Sequence, residues 1–180
     1  MSGSSFPDSV GLMDVDLPSL LTGLARAKIT VAAAESLTGG LLTAMLTAVP
    51  GASEVVRGAL VVYATDLKHS LAGVDADLLA SRGPVDPDVA LALARGVRSV
   101  CGATVGIGLT GVAGPDQQHG IAVGTWYVAI SRGSFEQVLS NHSGQVDLRT
   151  MPGGTKQEPE RNRVRMDAVR AAIGLLAALI

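Results

Sequence analysis

The sequence predicts an α/β fold: a layered α/β/α domain on a mixed β-sheet. Short apolar runs alternate with amphipathic stretches between residues 17 and 109, the pattern of strands joined by crossover helices. Two of those runs lead directly into polar, glycine-bearing turns, at residues 35–40 and 110–115. Later, two strand-like runs flank Arg132-Gly133-Ser134, and such a hairpin sets antiparallel strands beside the parallel ones.

Taken in order, Asp16 and Pro18 head a set of leucines (Leu17, Leu20, Leu21, Leu24) at helical spacing, so a capped helix spans about 17–27. Residues 29–34 are a short apolar strand, and Gly39-Gly40 opens a helical pattern over 41–49. Residues 55–63, VVRGALVVY, form a β-branched strand interrupted by Gly58. Thr65 or Asp66 caps a short helix through Leu71, and residues 75–81 form another, closed by Gly83-Pro84. Asp86 with Pro87 starts a helix to about Val100. A strand at 104–109, a loop at 110–119 and hairpin strands at 122–131 and 135–141 follow. Residues 142–160 lack periodicity and read as a long loop insertion. The closing helix, 161–178, lines up Val164, Ala168, Ala171, Ala172 and Leu175 on one face. Residues 1–16 read as a flexible extension and 17–180 as a single domain, in keeping with a length of 180 residues.

Composition narrows the function. The 14 Lys and Arg against 16 Asp and Glu leave a net charge of −2, with no basic footprint for nucleic acid. Aromatic residues are 3% of the chain, too few for a base-stacking platform. The apolar run at 171–180 is far shorter than the roughly 20 residues of a membrane span. One cysteine, Cys101, and no basic head followed by an apolar stretch at the start point to the cytoplasm. Cys101 and the three histidines, His69, His119 and His142, show no metal-ligand spacing.

The chemistry concentrates at the two glycine-bearing turns, because ligands of open α/β sheets collect beyond the carboxyl ends of the strands. The Gly39-Gly40 turn either cradles an anion with its amides or serves backbone geometry alone. Ser36 lies in the first turn, as nucleophile or helix cap, and a serine nucleophile needs a base. No histidine forms a motif with it. Tyr63 and Lys68, five residues apart, are the better partners, since a buried lysine can surrender its proton and Ser-Lys pairs are an alternative to the triad. Their plain alternatives are a rim aromatic and a solvated charge. Arg161, Arg163 and Arg165 either bind an anion or form a solvated face.

Five segments together resemble the C-terminal domain of the CinA family, the nicotinamide mononucleotide deamidases. They are VAAAESLTGGLL (31–42), VPGASEVVRGALVVYATDLKHSLAGV (49–74), RGPVDPDVALALARGV (82–97), GIGLTGVAGPD (106–116) and VGTWYVAI (123–130). An AES-x-TGG turn, a Y-x4-K step and a TG-x-AGP loop in one chain are far more specific than any one alone. The resemblance implies hydrolysis of the carboxamide of nicotinamide mononucleotide to nicotinic acid mononucleotide and ammonia, without metal or cofactor. It assigns the nucleophile to Ser36 and proton transfer to Lys68 and Tyr63. It also implies substrate contacts from Glu35 and from backbone amides around Thr38, Gly39 and Gly40, which would hold the oxyanion. Thr110, Gly111, Ala113 and Gly114 would line the nucleotide pocket, with Arg161 on the phosphate. A homo-oligomer is expected, with neither nucleic acid nor membrane as partner.

Three segments depart from the family pattern. Gln117-Gln118-His119-Gly120-Ile121-Ala122 stands where Gly-Gly and a Lys-Pro pair are usual, so a substrate-side lysine is missing. Ala64-Thr65 replaces a small polar pair after the tyrosine. The step into the last helix is reduced to Pro159-Glu160-Arg161 after the insertion, where Lys156 is a candidate replacement for the lost lysine. These departures define the alternative: a nucleotide-binding or regulatory module that kept the crevice and lost efficient turnover.

Overall fold

The computed structural model describes residues 16–141 and 160–180. The extension and insertion read from the sequence, Lys156 included, otherwise lie outside the described residues. The elements are α1 (Leu17–Arg26), β1 (Val31–Glu35), α2 (Leu41–Thr47), a 3-10 turn (Ala52–Glu54), β2 (Val56–Val61), α3 (Thr65–Ser70), α4 (Ala76–Arg82), α5 (Pro87–Cys101), β3 (Val105–Gly111), β4 (Trp126–Arg132), β5 (Phe135–Ser140) and α6 (Glu160–Ala177).

The strands form one sheet in the order β2-β1-β3-β4-β5. β1 runs parallel to both β2 and β3, whereas β4 is antiparallel to β3 and β5 to β4. The mixed sheet expected from the hairpin is therefore present, with Gly133 at φ +60° in its two-residue turn. One face of the sheet packs on α1, α2 and α6, the other on α3, α4 and α5, which makes the three layers.

Strand alternation decides which residue meets which layer. Val31 and Ala33 of β1 join the α1, α2 and α6 cluster, while Ala32 and Ala34 join the opposite one. In β3, Val105, Ile107 and Leu109 enter the first cluster. Between them, a Cβ on Gly106 would lie 1.9 Å from the Ala94 carbonyl oxygen, and one on Gly108 would lie 2.1 Å from that of Ala90. Glycine at these two positions is what lets α5 lie directly on the sheet backbone.

Capping follows the sequence at α1 and α5, and Asp75, read from the sequence as the first residue of a helix, proves to be the cap of α4. Asp16, Asp75 and Asp86 accept hydrogen bonds from backbone amides at the starts of α1, α4 and α5. The residues aligned on α6, Val164, Ala168, Ala171, Ala172 and Leu175, are all buried; Met166, Val169, Ile173 and Leu176 are buried too, so the buried face is wider than one stripe.

Several boundaries differ from the sequence reading. The N-cap of α3 is Ala64, which offers no side-chain hydrogen bond, rather than Thr65 or Asp66. α2 ends at Thr47 and gives way to the 3-10 turn. β3 continues through Thr110 and Gly111, expected in a loop, because both still pair with Tyr127 and Trp126. β4 begins at Trp126 instead of residue 122, since Gly124 adopts φ +93° and turns the chain first. Glu160, assigned to the insertion, begins α6.

Candidate active site

β1 ends at Glu35, and the chain then turns through residues 36–40 into α2. The Ser36 amide donates to the Leu109 carbonyl at 3.0 Å, tying the turn to β3. Alternation points Glu35 to the same side as Val31 and Ala33, where it meets the orphan amides at the start of α2. Its carboxylate accepts from the Gly40, Leu42 and Thr43 amides at 3.0, 3.1 and 2.9 Å, and from the Thr43 hydroxyl at 2.6 Å. Gly40, the N-cap at φ +94°, has no side chain for this task. Glu35 is buried outside the cavity wall, so its expected substrate contact gives way to a capping role.

Lys68 is brought to Ser36 from the other direction. β2 pairs with β1, the chain passes Tyr63, and α3 points the lysine back under the strand ends. Lys68 Nζ donates to Ser36 Oγ at 2.8 Å and to the Val62 carbonyl at 2.7 Å. Only 1% of Lys68 is exposed. Removing an ammonium from water penalises its charged form, and burial pushes the amine down to about 8. Lys68 is thus no solvated charge, and Ser36 is no helix cap, since the capping atoms of α2 are those of Glu35.

The two residues open onto a cavity of about 290 Å³. Its wall also includes Tyr63, Pro84, Val85, Thr110, Gly111, Ala113, Gly114 and Arg161. The Thr110 hydroxyl donates to the Pro84 carbonyl at 2.6 Å, fastening the segment between α4 and α5 onto β3. A Cβ on Gly111 would lie 2.6 Å from the Thr125 carbonyl oxygen and 2.9 Å from Leu37 Cδ1, which requires glycine. Arg161, at the start of α6, donates through Nη2 to the Tyr63 hydroxyl at 2.8 Å and through Nη1 to the Gly114 carbonyl. Tyr63 is 59% exposed, so its phenol sits at the rim, bonded to Arg161 and not to the Ser36–Lys68 pair.

The structure therefore gathers Ser36, Tyr63, Lys68, Thr110, Gly111, Ala113, Gly114 and Arg161 at one cavity, and leaves Glu35, Thr38, Gly39 and Gly40 outside its wall. The Gly39 and Gly40 amides are already engaged, with the Ser36 carbonyl at 3.0 Å and the Glu35 carboxylate at 3.0 Å. Their expected oxyanion role is replaced by turn geometry. Sequence reasoning did not single out Leu37, Val85, Asp116 or Gln118, which also line the cavity. Leu37 is the variable position of the AES-x-TGG turn, Val85 carries no motif, and Gln118 stands out only as part of a departure. Arg165, by sequence either an anion ligand or part of a solvated face, donates to the Leu37 and Thr38 carbonyls.

The comparisons agree with this architecture. The family model of the CinA C-terminal domain matches residues 18–180. A CinA-like protein of Frankia casuarinae is 41% identical over 172 residues, covering 94% of this chain and 36% of that protein. A CinA-like protein of Gemmatimonas aurantiaca is 45% identical over 119 residues, covering 65% of this chain and 28% of that protein. The aligned part is thus about a third of the length of these relatives. Among solved structures, the competence/damage inducible protein CihA from Agrobacterium tumefaciens aligns with a TM-score of 0.77 at 30% identity, covering 98% of this chain and 99% of that one. The competence or damage-inducible protein from Enterobacter asburiae aligns with a TM-score of 0.78 at 25% identity, covering 97% and 100%. With the model matched over nearly the whole sequence, the chain belongs to the CinA C-terminal domain family.

Proposed function

We propose that this domain is an amidohydrolase that converts nicotinamide mononucleotide to nicotinic acid mononucleotide and ammonia. The observation that carries the reading is the 2.8 Å contact between Lys68 Nζ and Ser36 Oγ in a cavity wall. A buried amine in contact with a serine hydroxyl is a nucleophile with its base. The choice of a pyridine mononucleotide rests on the family resemblance of the turns that carry Ser36, Tyr63, Lys68 and Thr110.

In the first half-reaction the neutral Lys68 amine takes the Ser36 proton as Oγ attacks the carboxamide carbon. The tetrahedral intermediate collapses when the Lys68 ammonium returns that proton to the leaving nitrogen, which departs as ammonia. The Tyr63 hydroxyl accepts from Arg161 and so keeps its own proton to donate at the rim. In the second half-reaction water adds to the acyl-Ser36 ester with Lys68 again as base, and the Lys68 ammonium returns that proton to Oγ as the C–Oγ bond breaks and the acid is released. Arg161, beside the Gly114 carbonyl, is the cation for the phosphate.

Incubating the purified protein with nicotinamide mononucleotide and assaying ammonia tests the reading. The wild type releases ammonia and Ser36→Ala abolishes it. Mononucleotide binding without ammonia release would instead support a non-catalytic module, for which Gln118 in the cavity wall, within the segment that departs from the family, is the structural reason.

A further inference from the structure

We infer that Arg165 is a positioning residue that locks the turn behind Ser36, and with it the Leu37 amide, in place for a developing oxyanion; the inference rests on Ser36 being the nucleophile. Its guanidinium donates through Nε to the Leu37 carbonyl at 3.1 Å and through Nη2 to the Thr38 carbonyl at 2.9 Å. These two nitrogens form one edge of a rigid planar fork. A third bond, from Nη1 to Asn162 Oδ1 at 3.2 Å, steadies the group on α6. The turn's own hydroxyl does not help, since the buried Thr38 Oγ1 has no partner among the described residues.

Peptide planarity turns this clamp into a statement about N–H directions. In a trans peptide the N–H points opposite to the preceding carbonyl. Holding the Leu37 carbonyl toward α6 therefore turns the Thr38 N–H away from α6. The Ser36 carbonyl accepts from the Gly39 amide inside the turn at 3.0 Å, so the Leu37 N–H points out of it. Among the described residues neither the Leu37 nor the Thr38 N–H donates to another group, unlike those of Gly39 and Gly40. Leu37 lines the same cavity as Ser36. The amide of the residue after a nucleophilic serine is a recurring oxyanion donor, and such donors act by being fixed before charge develops.

The test uses an alkyl fluorophosphonate, which needs no knowledge of the amide substrate. Ser36 Oγ forms a bond to phosphorus, fluoride departs, and the serine proton passes to Lys68. The phosphoryl oxygen then lies where an acyl oxyanion would. Adduct formation is followed by intact-mass spectrometry in the wild type, Ser36→Ala, Arg165→Met, Arg165→Ala and Arg165→Lys, with circular dichroism and melting curves recorded for each.

The expected result is labelling of the wild type at Ser36 and labelling of Arg165→Met about 10- to 100-fold slower. Its pH midpoint should match that of the wild type, because Lys68 is untouched. Arg165→Lys should fall between, and added guanidinium ion should restore part of the rate in Arg165→Ala. Equal rates in wild type and Arg165→Met would overturn the inference. So would a loss that accompanies unfolding and is recovered neither by lysine nor by guanidinium. A wild type that labels no better than Ser36→Ala would instead remove the nucleophile itself, and the inference with it.

Discussion

Lys68 Nζ donates to Ser36 Oγ at 2.8 Å, although the two lie 32 positions apart in sequence, and its other partner is the neutral Val62 carbonyl. With its ammonium buried beside uncharged oxygens, the amine titrates at about 8. The base form is the neutral one, so kcat/KM for ammonia release should rise from pH 6 to pH 9 with a midpoint near 8 and then level off. Lys68→Arg, which stays charged, should lose about 10²- to 10⁴-fold at every pH in this range. A profile flat from 6 to 9 in an active wild type would detach Lys68 from the chemistry.

The same burial predicts a pH-dependent stability. The folded amine, at about 8, lies below its ordinary 10.5, so the unfolded chain holds this proton more tightly. Below pH 8 the folded state carries the full penalty; as pH rises from 8 to 10.5 the penalty fades and stability grows. Lys68→Met removes the titrating group, so differences between the two proteins cancel most other titrations. Wild type should gain about 2–3 kcal/mol relative to Lys68→Met between pH 7 and pH 10. Urea unfolding at the two pH values measures it, and an unchanged difference would contradict the neutral-amine state.

Glu35 should matter through folding and not through substrate contact. Its carboxylate satisfies the Gly40, Leu42 and Thr43 amides and the Thr43 hydroxyl from a buried position. Glu35→Ala leaves those donors without an acceptor, and a loss of about 2–4 kcal/mol is expected in urea unfolding. KM for the mononucleotide should stay near its wild-type value in protein that remains folded. A large rise in KM with unchanged stability would restore a substrate contact for Glu35.

What could be read from the sequence was what has a period, a cap or a turn. Asp16 and Asp86 mark their helix starts because a short carboxylate before a helix has one favoured use. Ser36 and Tyr63 could be named because each comes just after a strand whose carboxyl end faces the crevice, and Lys68 because it lies five residues on from Tyr63, in the first turns of a helix. Glu35 was misplaced for a reason in the same alternation: it shares the motif with Ser36, but adjacent strand residues point to opposite faces. Arg165 and the Leu37 amide were illegible. Whether an arginine on a polar helix turn is solvated or bound depends on a carbonyl pair nearly 130 residues away, and no local pattern encodes that.

Arg161 bonds the Tyr63 hydroxyl and the Gly114 carbonyl, so its removal separates two roles. If its charge holds the phosphate, Arg161→Met should raise KM for nicotinamide mononucleotide about 10- to 100-fold, the worth of a charge-assisted hydrogen bond. The change in kcat should be small, and the riboside lacking the phosphate should show no change in KM. If Arg161 acts only by holding the phenol, kcat should fall for nucleotide and riboside alike, and Tyr63→Phe should reproduce that fall. Steady-state ammonia release with both substrates, for wild type, Arg161→Met and Tyr63→Phe, distinguishes the two. A mononucleotide KM unmoved in Arg161→Met would place the phosphate contact elsewhere in the cavity wall.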